Sequence, residues 1–119
     1  MGHHNEIGQQ GEQAAVDYLI AEGFRILERN YVYLKREVDI IAKKDAVVHF
    51  IEVKTSEHWM HEEPHKSVGK AKQRNIGIAA EAFIEEFDLK EEVQFDIIEV
   101  RISPSLSLNY IPEAFVPRN

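Results

Sequence analysis

The sequence contains no cysteine, so disulfide bonds, thiolate metal sites and cysteine nucleophiles are excluded. It also contains no apolar run long enough to span a membrane, and no charged and then apolar leader opens it. Basic residues are the scarcer charge, with 14 Lys and Arg against 21 Asp and Glu, which argues against a protein that coats nucleic acid by bulk attraction. We therefore expect a soluble, cytoplasmic protein with no membrane partner.

Repeats, low-complexity tracts and Pro- or Gly-rich linkers are absent as well, which favours a single domain over residues 1–119. Apolar periodicity predicts two helices, at about residues 6–22 and 66–87. Alternating apolar segments predict strands at residues 24–31, 37–43, 47–54, 93–101 and 106–111. This order predicts an α/β fold, a mixed β-sheet flanked by α-helices.

A pair of acids occupies an unusual place in the predicted hairpin. If the hairpin turns symmetrically about the Asp45–Ala46 bond, Asp39 faces Glu52 across the two strands, where like charges repel. A divalent cation such as Mg²⁺ or Mn²⁺ would relieve this repulsion, because hard cations bind carboxylate oxygens. Lys54 follows Glu52 on the same strand face, where it is placed to orient water or to stabilise charge on a phosphate.

The first predicted helix carries another acid on its apolar side. Glu12 shares a helical face with Ala15, Val16 and Leu19. Helix phase, hairpin register and strand alternation therefore direct charges toward one place, while alternation puts His49 on the opposite face of the sheet. Two interpretations fit these residues, a metal-dependent phosphoester site and a cluster of solvated or salt-bridged ions.

The middle of the chain supplies the local basic segment. Residues 66–74 contain no acid and carry Lys66, Lys70, Lys72 and Arg74. In an otherwise acidic chain this segment is the predicted surface for DNA phosphates. The alternative is a solvated helix face whose bases only balance nearby acids.

The arrangement of these residues resembles known families. Asp39, twelve intervening residues and then Glu52-Val53-Lys54 resemble the D…ExK core of the PD-(D/E)xK restriction-endonuclease-like superfamily. A wider pattern resembles the bacterial YraN family, also called UPF0102, and spans nearly the whole chain. The residues that carry it are Gly8, Gly11, Glu12, Ala15, Tyr18, Leu19, Gly23, Ile26, Leu27, Asn30, the run from Glu37 to Ala42, the run from Phe50 to Thr55, Lys72, Phe95 and Asp96.

The resemblance implies a nuclease-like fold related to archaeal Holliday-junction resolvases. It implies Glu12, Asp39, Glu52 and Lys54 as catalytic residues, with Asp39 and Glu52 as ligands of Mg²⁺ or Mn²⁺. The implied activity is metal-dependent cleavage of DNA, with branched or otherwise structured DNA as a substrate. The alternative is a module on the same fold that binds DNA or a protein without cutting. We also expect a homodimer to be able to form, because a chain this small presents a narrow surface.

Three positions depart from the family pattern. Arg36 stands where a glycine is usual, Ser56 stands where a basic residue is common, and the arginine that usually follows the asparagine near Asn30 is absent. The loss of basic positions weakens the expectation of DNA binding more than that of a metal site.

Overall fold

A computed structural model describes residues 6–57 and 68–117 of the chain. Its elements are α1 (Glu6–Ala21), β1 (Arg25–Tyr33), β2 (Arg36–Lys44), β3 (Val47–Ser56), α2 (Lys70–Glu86), β4 (Glu92–Arg101) and β5 (Ser107–Ile111). Residues 68 and 69 are not helical, so α2 begins at Lys70, later than the periodicity predicts. Lys66 lies outside the described residues.

The five strands form one mixed sheet in the order β1-β2-β3-β4-β5. Strands β3 and β4 are parallel, and the other neighbouring pairs are antiparallel. A parallel pair needs a crossover connection, and here the connecting segment contains α2. The predicted α/β fold with a mixed sheet and flanking helices is confirmed.

The two helices cover opposite faces of the sheet. Phe50 of β3 packs in a buried cluster with Phe83 of α2, whereas the adjacent Ile51 packs in a second cluster with Leu19 of α1. Burial of each large apolar side chain contributes about 1.5–3 kcal/mol to folding. Strand β3 is the central strand and is covered on both faces, so its charged side chains are at least partly enclosed by the domain. Neither helix in the described ranges is long and apolar enough to cross a membrane.

The β2–β3 hairpin has the predicted register. Its backbone pairs run from Ile40↔Ile51 to Lys44↔Val47, which is symmetric about the Asp45–Ala46 bond. Asp45 has a φ of 56°, the left-handed conformation that tight hairpin turns require. The backbone pairing ends at Ile40↔Ile51, and Asp39 and Glu52 are the next residue of each strand beyond it.

Candidate active site

A cavity of about 460 Å³ is lined by residues of α1, β2, β3 and α2. We call it the acidic cavity, after its charged lining residues Glu12, Glu37, Asp39, Glu52, Lys54, Glu57 and Lys72. The four residues for which a catalytic role is expected, Glu12, Asp39, Glu52 and Lys54, all line it. The fold therefore brings together side chains from α1, β2 and β3 that are far apart in sequence.

Asp39 and Glu52 lie next to each other in the lining of the acidic cavity. The backbone N–H of Val53 donates a hydrogen bond of 2.8 Å to Asp39 Oδ2. Burial and the nearby Glu52 carboxylate raise the pKa of Asp39 well above its ordinary value, against the opposite effect of the Val53 hydrogen bond. Among the described residues, Asp39 Oδ1 and Glu52 Oε1 accept no hydrogen bond. No fully buried side-chain oxygen among the described residues lacks a hydrogen-bond partner, so these two atoms keep some contact with solvent, and both residues line the cavity.

Lys72 reaches into the acidic cavity from α2. Its Nζ lies 3.1 Å from Glu52 Oε2, and the exposed fractions of the two side chains are 55% and 4%. Burial alone would lower the pKa of Lys72, but the nearby carboxylates, Glu52 first among them, raise it on balance. Lys72 is a predicted DNA contact, and its position beside Glu52 was not evident from the sequence.

Glu12 is held by two neighbours on β1. Glu12 is 6% exposed, as its place on the apolar face of α1 predicts. Its Oε1 accepts hydrogen bonds from Asn30 Nδ2 at 3.0 Å and from Arg29 Nη2 at 3.3 Å. Asn30 takes a φ of 54°, a left-handed conformation that asparagine tolerates better than most residues. These contacts fix Glu12 at the wall of the cavity, where its charge also raises the pKa of Asp39.

Gly11 allows α1 to approach β3 closely enough to place Glu12. A Cβ at position 11 would overlap the Thr55 side chain. We expect Gly11→Ala to lower the free energy of unfolding by about 1–3 kcal/mol, because overpacking outweighs the better helix propensity of alanine. Thermal denaturation would measure the change, and Thr55→Ala in the same chain should recover part of it, because the two closest atoms of Thr55 are removed while its Cβ remains. A Gly11→Ala variant that melts at or above the parent's temperature would contradict this account.

Glu37 is a lining residue that was not predicted as part of the site. It lies two positions before Asp39 on β2, and side chains two apart on a strand share a face. The alternation of side chains along β2, counted from Asp39, could therefore have identified Glu37 as part of the site. Glu37 adds negative charge to the cavity and helps to raise the pKa of Asp39.

Lys54 is the second cation of the acidic cavity. It is half-buried and follows Glu52 on the same face of β3, as alternation predicts. Unlike Lys72, it forms no ion pair with any other described residue. Its ammonium group is therefore available to a ligand of the cavity.

The oxygen donors of the cavity fit a hard divalent cation. Across residues 6–57 and 68–117, no three or more His, Cys, Asp or Glu side chains are grouped so as to hold a metal ion. Mg²⁺ nevertheless commonly binds through one or two carboxylates and completes its coordination with water and substrate phosphates. Asp39 and Glu52, which line the cavity and each keep one oxygen in contact with solvent, match that pattern.

Sequence comparisons identify relatives of this chain. A family model described as "Uncharacterised protein family UPF0102" matches residues 11–100. A UPF0102 protein of Dictyoglomus turgidum is 38% identical over 95% of this chain and 99% of its own length. A UPF0102 protein of Christiangramia forsetii is 38% identical over 97% of this chain and 98% of its own length. One of Chlorobium phaeobacteroides is 42% identical over 81% of this chain and 76% of its own length.

Proposed function

This chain belongs to the UPF0102 family, and from its acidic cavity we propose that it hydrolyses DNA phosphodiester bonds with Mg²⁺ or Mn²⁺. Branched or otherwise structured DNA is the substrate class we propose. The observation that carries the proposal is that Asp39 and Glu52 lie just beyond the last β2–β3 backbone pair and line one cavity together with Lys54. Asp39 is held there by the hydrogen bond from Val53 N, close enough to Glu52 for the two carboxylates to repel. Two repelling carboxylates at the centre of a sheet cost stability, which a cation-binding role explains.

Asp39 and Glu52 would hold the ion. When bound, it would supply Lewis-acid polarisation of a phosphoryl oxygen. The other roles belong to the chain itself. Lys54 would orient the attacking water or stabilise negative charge on the phosphate, and Glu12, fixed by Asn30 and Arg29, would orient water at the cavity wall.

The start of α2 supports DNA as the substrate. Lys70 and Arg74 are exposed and one helical turn apart, on the same helix from which Lys72 reaches Glu52. Because residues two apart on a helix point about 200° from each other, Lys70 and Arg74 face away from the cavity that Lys72 enters and would bind phosphates along the outer side of α2. Positive charge placed there offsets the repulsion between DNA and a chain with a net charge of −7.

Asp39→Asn is expected to abolish stabilisation by metal. At an Mn²⁺ concentration one hundred times its Kd, the parent should gain about 2.7 kcal/mol from ion binding. Without metal, the variant should melt above the parent at neutral pH. Because the pKa of Asp39 is raised in the folded state, its favourable contribution is present at acidic pH and is lost as the pH rises through the folded-state pKa.

Calorimetry of both proteins with and without metal makes the measurement. Asp45→Asn in the turn of the same hairpin is the matched control, because it removes an exposed acid and asparagine tolerates the left-handed φ at that position. An equal response to metal in Asp39→Asn and the parent would rule out this ion site. Magnesium-dependent cleavage of linear, single-stranded and four-way DNA by the parent tests the activity directly.

Replacing Lys70 and Arg74 by Gln is expected to weaken DNA binding. The slope of log affinity against log salt should fall by about 0.9 for each DNA phosphate that the protein no longer neutralises. Fluorescence anisotropy at several salt concentrations measures both quantities. Replacing Arg25 and Lys90, exposed bases outside α2, is the charge-matched control. If both double variants weaken binding equally, DNA does not bind along α2.

A binding module that cuts nothing is the second candidate. It is favoured by the ion pairs already present, since Glu12 is bound by Arg29 and Glu52 by Lys72. This candidate predicts salt-dependent DNA binding without metal-dependent cleavage. The cleavage assay and the anisotropy titration together distinguish the two functions.

A further inference from the structure

We infer that Lys72 is a built-in counter-cation of the acidic cavity, which competes with a divalent ion for the carboxylate of Glu52. The inference rests on the proposed function, because it concerns the same two carboxylates. It assigns Lys72 a role distinct from the DNA contact expected from its place in the basic segment. Ion affinity would then depend on the start of α2 as well as on the acids of the sheet.

The geometry places Lys72 where an ion would bind. Its ammonium nitrogen lies 3.1 Å from Glu52 Oε2, on a carboxylate that is almost completely buried, while the lysine itself is more than half exposed. The same lysine lines the cavity together with Glu52 and Asp39. A lysine side chain approaching from the solvent side can leave without any change in the sheet, whereas Glu52 cannot.

Electrostatics makes the two cations competitors. A divalent ion bound between Asp39 and Glu52 would place a second positive charge within a few ångströms of the Lys72 ammonium. The carboxylate of Glu52 also loses negative charge density to each cation that it binds. Because a half-exposed ion pair is weak, competition from Lys72 lowers ion affinity without preventing ion binding.

Lys54 provides the internal comparison. It lines the same cavity but forms no ion pair with another described residue. Lys54 can therefore face a bound phosphate without first leaving a carboxylate. Of these two lysines, Lys72 alone has an ion pair with which an incoming ion would compete.

The test is Mn²⁺ binding to the full-length protein, followed by electron paramagnetic resonance of the free ion. Lys72→Gln should bind Mn²⁺ about fivefold more tightly than the parent, the change that corresponds to about 1 kcal/mol. Lys72→Arg retains the charge and should retain the parent's weaker affinity. Lys90→Gln, at a lysine that is 82% exposed and pairs with Asp88, should leave the affinity within about twofold.

A second measurement uses the unmodified chain. The ammonium resonance of Lys72 should shift toward that of a free lysine when Mg²⁺ is added, since the ion displaces it from Glu52. This readout remains available if Lys72→Gln fails to fold. A Lys72 resonance that is unchanged at saturating Mg²⁺ would overturn the inference.

The outcomes separate the inference from the function on which it rests. If the parent binds Mn²⁺, Asp39→Asn abolishes binding and Lys72→Gln binds no more tightly than the parent, the ion site stands and the role of Lys72 is wrong. If the parent does not bind Mn²⁺ and Lys72→Gln does not either, both the ion site and the inference are wrong. Tighter binding by Lys72→Gln, abolished when Asp39→Asn is added, supports both.

Discussion

Lys54→Met should reduce metal-dependent cleavage by about a hundredfold or more while leaving the fold intact. Positioned proton transfer and charge stabilisation typically contribute at least that factor to a reaction. The melting temperature should be equal to or higher than the parent's, because a half-buried ammonium without a described ion partner is replaced by an apolar chain of similar length. Cleavage and thermal denaturation should be measured on the same preparation.

Lys44→Met is the matched control for this experiment. Lys44 lies at the far end of the same hairpin, over the ring of Phe24, and outside the acidic cavity. We expect it to keep full cleavage. A purely structural role for Lys54, as a counter-charge to the buried acids of the cavity, makes the opposite prediction, because leaving a buried carboxylate without compensation costs about 3–5 kcal/mol. A large fall in melting temperature with unchanged cleavage would therefore favour the structural role.

Asp96→Asn is expected to cause the largest loss of stability, about 3–5 kcal/mol. Asp96 is 0% exposed, and its two carboxylate oxygens accept hydrogen bonds from four groups. The donors are His49 Nδ1 at 2.7 Å, Tyr110 Oη at 2.7 Å, Glu113 N at 2.9 Å and Gln94 Nε2 at 3.0 Å. The NH₂ group of an asparagine at this position would face groups that are themselves hydrogen-bond donors, so buried donors would be left without acceptors.

The pH dependence of stability checks the same network. Burial would raise the pKa of Asp96, but its hydrogen bonds, beginning with that of His49, lower it on balance. The resulting stability is present above the unfolded pKa, near 4, and is lost as the pH falls through the lower folded-state pKa. Asp96→Asn should flatten this acid limb in urea denaturation, whereas Asp88→Asn, at an acid that is 83% exposed, should not. If Asp96→Asn lost stability at low pH as steeply as the parent does, other carboxylates would be responsible for that loss.

Helix periodicity, strand alternation and turn geometry were enough to predict the hairpin register and the side of each element on which a residue lies. The turn at Asp45–Ala46 fixed the hairpin register as predicted, and this register was enough to indicate that Asp39 and Glu52 are neighbours, which they are in the acidic cavity. Helix phase placed Glu12 on the buried side of α1, and alternation placed His49 on the face opposite Glu52, where it meets Asp96. The catalytic and ion-binding roles of these residues remain predictions.

Contacts between residues on different helices and strands could not be predicted from periodicity and turn geometry. Periodicity placed Lys72 on the second helix, as observed, but its reach to Glu52 depends on how α2 crosses the sheet. Asn30 and Arg29 meet Glu12 only because β1 turns back beside α1. The donors around Asp96 likewise come from separate places, with His49 on β3 and Tyr110 on β5. No sequence spacing specifies such meetings.

The symmetric β2–β3 hairpin determines where this chain can gain or lose residues. Added residues at the Asp45–Ala46 tip lengthen only a loop, so Asp39 and Glu52 keep equal distances from the turn and stay next to each other. One residue added within a single paired arm instead turns the acid beyond it to the other face of the sheet. The tip is therefore the place for a peptide tag or an inserted reporter, and relatives should vary in length there more readily than in the arms.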